Sequence, residues 1–262
     1  MIELIRTFQA NVLLFGLLLI RVSAMFTLAP IFNSRVVPAK IRAAAAVMLS
    51  MATLPMLADG TLRMPDSMLA YAILGAKEVI IGALIGLIAQ LLFASVQLAG
   101  SLIDTGAGFS IGQSLDPTSN LNLSTMGRAY SLFASTAFVA LGGHLVLIQA
   151  LVASFRLVPP TRVPNILAVT QGVMAESAGM FVIGLQIAAP LMAALLITDV
   201  ALGIMSRAAP QMNVFIVGLP LKSGVALLGT ALLLSSFVTL LNGLTDQMFQ
   251  NLSSILKAAG GG

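Results

Sequence analysis

The chain has 262 residues, of which 58% are hydrophobic and only 8% charged, with a net charge of +4 and no cysteine. Soluble domains carry about 25% charged residues because a water-facing surface needs them. Too few are present here to coat a globule, and disulfides, thiolate metal sites and cysteine nucleophiles are excluded as well.

One domain, residues 1–262, is expected, built from about six long and partly broken hydrophobic helices, an all-α membrane protein. The first helix is expected over residues 11–32. Arg6 and Val22-Ser23-Ala24 imitate a signal peptide, but Glu3 weakens the basic region, Arg21 precedes the would-be cut and hydrophobicity resumes through Phe32. The segment therefore reads as a retained helix. After the polar turn at 33–42, a second helix runs from Ala39 to about residue 58, near Pro55 and Asp59-Gly60. A third starts after Pro65-Asp66-Ser67, where Asp66 or Ser67 supplies a cap, and continues to about Ile103. Its residues 79–103 give about 25 positions without a charge, against the ~20 needed to cross a bilayer.

The segment 106–120 breaks the pattern. Gly106, Gly108 and Gly112 weaken any helix, while Phe109, Ile111 and Leu115 are too apolar for a freely solvated loop. Non-helical backbone at membrane depth survives only inside protein or along a cavity. The segment reads as a re-entrant or pore-facing loop ended by Asp116-Pro117, or as a buried connector. A fourth helix follows over 125–155, and Pro159-Pro160 with Pro164 stops it. The fifth spans 165–205 with a kink at Pro190. The last spans 214–256, with an interruption at Gly218-Leu219-Pro220.

The bases stand singly among apolar segments, with no basic stripe and no interleaved aromatics. They read as membrane-flanking and helix-pairing charges, and no nucleic-acid partner is expected. Alternate connections carry comparable numbers of Lys and Arg, and the chain has no Trp and only Tyr71 and Tyr130. Both the positive-inside signal and the aromatic belt of an ordinary polytopic carrier are missing, as expected if other protein surrounds the helices.

Arg21, Glu78, Glu176, Asp199 and Lys222 fall inside apolar helices, where charges are costly. Two readings stand: structural pairing within the bundle or with neighbouring subunits, and a proton or ion pathway. Asp199 and Arg207 lie about two turns apart on one helix, and Lys222, just after Pro220, is placed to meet an acid from another helix. Gly82 and Gly86 form a small-residue seam suited to close helix approach. His144 is the only histidine and reads as an interhelical or helix-start contact. No nucleophile elbow or phosphate loop occurs, so neither an enzyme nor a cofactor or metal is expected.

The run Ala208-Ala209-Pro210-Gln211-Met212-Asn213-Val214-Phe215-Ile216-Val217-Gly218-Leu219-Pro220-Leu221, preceded by Gly203-Ile204-Met205-Ser206-Arg207, resembles the signature of the FliR family and its injectisome relatives. Ala29-Pro30-Ile31 with Arg35-Val36-Val37-Pro38, residues 78–86, Asp116-Pro117 and Gly143-His144-Leu145 follow the family in the same order. The resemblance implies a subunit of the flagellar type III export gate. It would join several copies of FliP and FliQ in a helical core, with FlhB attached and FlhA in the adjacent cytoplasmic ring. The setting would be the bacterial inner membrane at the flagellar basal body, and unfolded flagellar proteins would be the cargo. The resemblance also implies that the loop matching 106–124 plugs the closed pore, here with Phe109, Ile111 and Ser114 rather than more aromatic side chains. A virulence injectisome gate shares these signatures. A small-solute secondary transporter is the alternative from another class; it would show internal repeats around a midplane site, and none is evident.

Overall fold

The computed structural model describes residues 2–34, 37–57, 67–109, 124–211 and 213–261, with side chains from residue 9 onward. All regular structure among them is helical. α1 spans Ile2–Leu28, α2 Ala39–Thr53, α3 Met68–Ala107, α4 Thr125–Ala140, α5 Gly143–Leu157, α6 Ile166–Ala208 and α7 Val214–Gly260. α1, α3, α6 and α7 are each long and apolar enough to cross a membrane, and α4 and α5 reach that length and apolarity only when taken together.

Local chemistry sets the helix starts. Pro38 precedes α2, and its carbonyl accepts from the Ile41 and Arg42 amides. Of the two capping candidates for α3, Ser67 is seen in the role: its Oγ accepts from the Ala70 amide at 3.1 Å. The other, Asp66, lies outside the described residues. Ser124 Oγ caps α4 through the Gly127 amide at 2.8 Å. Asn165 Oδ1 caps α6 and Asn213 Oδ1 caps α7, each taking amides two and three residues on. These side chains satisfy amides that have no partner within the helix.

Several expected boundaries differ: α1 begins nine residues before the expected start at residue 11 and α2 ends at Thr53, short of residue 58. The fourth helix is two helices, because Gly142 adopts φ +77° and carries the chain out of α4 before α5 begins. That left-handed conformation costs a side-chain-bearing residue about 1–2 kcal/mol, and glycine escapes the cost. α7 runs through Gly218-Leu219-Pro220 without interruption. Pro220, the seventh residue of α7, has no amide to give the Ile216 carbonyl, but its fixed φ is helical and the helix continues with that one bond missing. α3 extends to Ala107, and Gly108, at φ +84°, ends it. Pro190 lies inside α6.

The chain divides into two compact units. The first comprises Met1–Leu91, Gly142–Glu176 and Thr245–Gly262; the second comprises Leu92–Leu141 and Ser177–Leu244. In the first unit, Leu14, Leu17, Leu18, Val22, Met25 and Phe26 recur at three- and four-residue steps and are fully or nearly fully buried. Matching buried stripes run along α3 (Ile81, Leu84, Ile85, Ile88), α5 (Leu147, Leu151, Phe155) and the end of α7 (Leu252, Leu256). In the second unit, Phe93 and Phe138 meet edge to face at 5.3 Å, as do Tyr130 and Phe237 at 5.6 Å.

Candidate functional site

Within the first unit, two of the charges named from sequence, Arg21 of α1 and Glu78 of α3, meet. The Arg21 guanidinium donates to Glu78 through Nε and through Nη2 at 3.0 Å. Nη1 donates to Ser154 Oγ of α5 at 3.0 Å, and Nη2 also reaches the Val158 carbonyl at 2.8 Å. The group lies 4.4 Å above the Phe155 ring, a cation–π contact. Lys77 meets Glu78 at 2.7 Å and donates to the carbonyls of Pro159 and Pro160 at 3.0 and 2.6 Å. Arg21 and Glu78 are wholly buried. Two cations face one carboxylate, and three inward carbonyls of the 158–160 turn absorb the excess. Fork geometry and five donors suit arginine to this place.

The same α1–α3 contact contains the glycine seam. A Cβ on Gly82 would overlap the Arg21 carbonyl, and one on Gly86 would lie 2.8 Å from the Met25 carbonyl. Tyr71 Oη donates to the Leu13 carbonyl at 3.0 Å across the same helix pair. Small residues therefore bring the backbones together at the level where the ion pair forms. Glu176 bonds to the Asn251 side chain, and His144 sits in the first turn of α5.

Within the second unit, Asp199 of α6 pairs with Lys222 of α7 at 2.8 Å. Arg207, eight residues on, is roughly 12 Å further along the α6 axis and is not the partner of Asp199. Gly218 lies beside this pair, where a Cβ would stand 3.1 Å from Leu202 Cδ1. Arg207, Pro210, Gln211 and Pro220 are exposed around the α6–α7 connection. Asp199 is 51% exposed and Lys222 18%, amid exposed Leu196, Ile197, Val200, Ile204 and Leu221.

Gly106 belongs to the last turn of α3, where a Cβ would come 3.1 Å from Leu195 Cδ1. This glycine makes a close helix contact instead of loosening a loop. Gly108 makes the exit and Phe109 is half-buried. Ile111, Gly112, Leu115, Asp116 and Pro117 lie outside the described residues. Beside this exit, Asp104 Oδ1 accepts from the Met126 amide at 3.0 Å, and Gly100 faces Gly127, where a Cβ would come 2.5 Å from the Gly127 Cα. Sequence reasoning missed both contacts. Their faint signal was a lone acid at the end of α3 and a glycine in the first turn of α4.

No group of three or more His, Asp or Glu side chains that could hold a metal occurs among the described residues. Long apolar helices joined by buried ion pairs and glycine contacts define an integral membrane protein. Residues 12–248 match the family described as bacterial export proteins, family 1, and the chain belongs to that family. It is 31% identical to flagellar biosynthetic protein FliR of Bacillus subtilis over 94% of this chain and 95% of that one. It is also 31% identical to FliR of Escherichia coli over 91% of each. Surface presentation of antigens protein SpaR of Shigella flexneri is 28% identical over 79% of each.

Proposed function

We propose that this chain is a subunit of the flagellar type III export gate, acting as one export-gate domain over its whole length. It joins FliP and FliQ in a hetero-oligomeric core of the bacterial inner membrane at the flagellar basal body, with FlhB and FlhA nearby. Unfolded flagellar proteins pass through that core, and the chain performs no chemistry on them and uses no cofactor. Three FliR relatives at 31% identity, against 28–29% for SpaR, and the fuller coverage of the FliR relatives, 83–94% of this chain against 79%, favour the flagellar system over the injectisome.

The observation that supports a shared core is the Asp199–Lys222 pair. Half-exposed charge inside helices of spanning length is costly against lipid, and such groups ordinarily face protein or water. The apolar side chains around it make a freely hydrated surface equally unfavourable. A neighbouring subunit over this face resolves both conflicts. Phe109 and the residues after it then provide an apolar plug, since an apolar constriction holds back ions by dewetting.

The test is co-expression with FliP and FliQ from the same bacterium, purification through a tag on this chain and mass measurement of the product. A discrete complex containing all three is the expected result. Recovery of this chain alone, with FliP and FliQ assembling equally well in its absence, overturns the reading.

A further inference from the structure

An apolar groove of about 580 Å³ lies within the first unit, between α5 and the last turns of α7. Ile148, Val152 and Ala153 of α5 form one wall and Phe249 of α7 the other. Its volume falls within the roughly 300–1,000 Å³ of sites that hold small molecules. Two cations stand at one end: Arg156 in the last turn of α5 and Lys257 in the last turn of α7.

Among the described residues the ion pairs are Arg21–Glu78, Lys77–Glu78 and Asp199–Lys222, and none involves Arg156 or Lys257. Glu78 is already shared by two cations, and Glu176 is bonded to Asn251. The two helix C-termini contribute about −0.5 charge each, against the two positive side chains that line the groove. Among the described residues an excess of about +1 therefore remains at the mouth of an apolar channel.

We propose that this groove binds an anionic glycerophospholipid, its phosphate held by Arg156 and Lys257 and an acyl chain laid along Val152 and Phe249. The charge distribution matches that amphiphile, with unbalanced cations at one end and no charge along the rest of the walls. Basic side chains at the ends of apolar helices ordinarily extend toward the headgroup level, so anion and hydrocarbon are available where the groove needs them. A free phosphate would use the cations and leave the channel empty. A zwitterionic lipid would fill the channel and leave the cations unbalanced.

The test uses the full-length chain purified in detergent, with bound lipid read by native mass spectrometry and folding checked by circular dichroism. Dioleoyl phosphatidylglycerol, dioleoyl phosphatidylcholine, glycerol 3-phosphate and inorganic phosphate are offered in turn. The expected result is at least a tenfold preference for phosphatidylglycerol over phosphatidylcholine, with no retention of either free phosphate. Arg156→Gln with Lys257→Gln should abolish the preference, while Lys257→Arg keeps it. Ala153→Phe, which fills the groove and leaves the cations in place, should lose the lipid. Equal retention of both lipids, an unchanged preference in the double glutamine variant, or free phosphate binding as well as the lipid overturns the proposal. So does a photo-crosslinker at Val152 that, in cells, labels another polypeptide and no lipid.

Discussion

Arg21 and Glu78 show how differently a charge behaves when it is buried and when it is exposed. Breaking a buried pair by removing one partner leaves an uncompensated ion and costs about 3–5 kcal/mol, whereas replacing both with apolar residues is often near neutral. Glu78→Gln should therefore lower the thermal midpoint of the purified protein sharply, followed by circular dichroism. Arg21→Met and Lys77→Met combined with Glu78→Leu, which removes all three charges that meet there, should recover most of the loss. Equal damage from the single and triple variants would mean that the cluster contributes through shape and not charge. Asp199→Asn belongs to the opposite regime. An exposed pair contributes about 0–1 kcal/mol, so the isolated chain should melt almost unchanged while its assembly with FliP and FliQ is lost. Intact assembly with loss of proton-coupled export would instead favour the proton-relay role.

At the scale of elements, the α1–α3 contact depends on having no side chain at Gly82 and Gly86, and the seam lies beside the ion pair. A leucine at either position would drive α1 away from α3 and stretch the Arg21–Glu78 bond. Each variant should give little folded protein and no complex, scored by gel filtration and by swimming motility. Full recovery of both would show that the two helices need no close approach there. The segment leaving α3 at Gly108 calls for a different experiment. Removing residues 109–115 should leave assembly largely intact and make cells expressing the complete gate without cargo leaky to small ions. The pair Phe109→Ala with Ile111→Ala should leak less than the deletion. Normal assembly with background permeability would reduce the segment to a connector.

Across the whole molecule, much of the apolar surface of α6 and α7 remains uncovered within the single chain, including Phe181, Leu185, Ile204, Phe215 and Leu232. Exposed apolar area of this extent marks contact with lipid or protein. Charged and polar positions interspersed in it, Asp199 above all, make lipid alone a poor cover. The chain purified by itself should be polydisperse in detergent, and co-expression with FliP and FliQ should give one sharp gel-filtration peak. A monodisperse, long-lived solitary chain would argue that its surface is already complete.

Composition and run length were sufficient for the membrane class, because crossing a bilayer needs an uninterrupted apolar helix and little else. Helix starts at Ser67, Ser124, Asn165 and Asn213 are short-range events, decided within three or four residues by a side chain and its nearest amides. The break at Gly142 was less legible: a glycine pair in an apolar run reads equally well as a flat packing surface, and only the backbone angle distinguishes the two. Partner choice was decided by tertiary structure. Arg21 lies 57 residues from Glu78 and 133 from Ser154, and no local rule joins positions so distant. Sequence could name Asp199, Arg207 and Lys222 as charges in need of compensation. Only the approach of α7 to α6 brought Lys222 to Asp199, because helix-to-helix contact, and not spacing along one helix, sets which charges come within bonding distance.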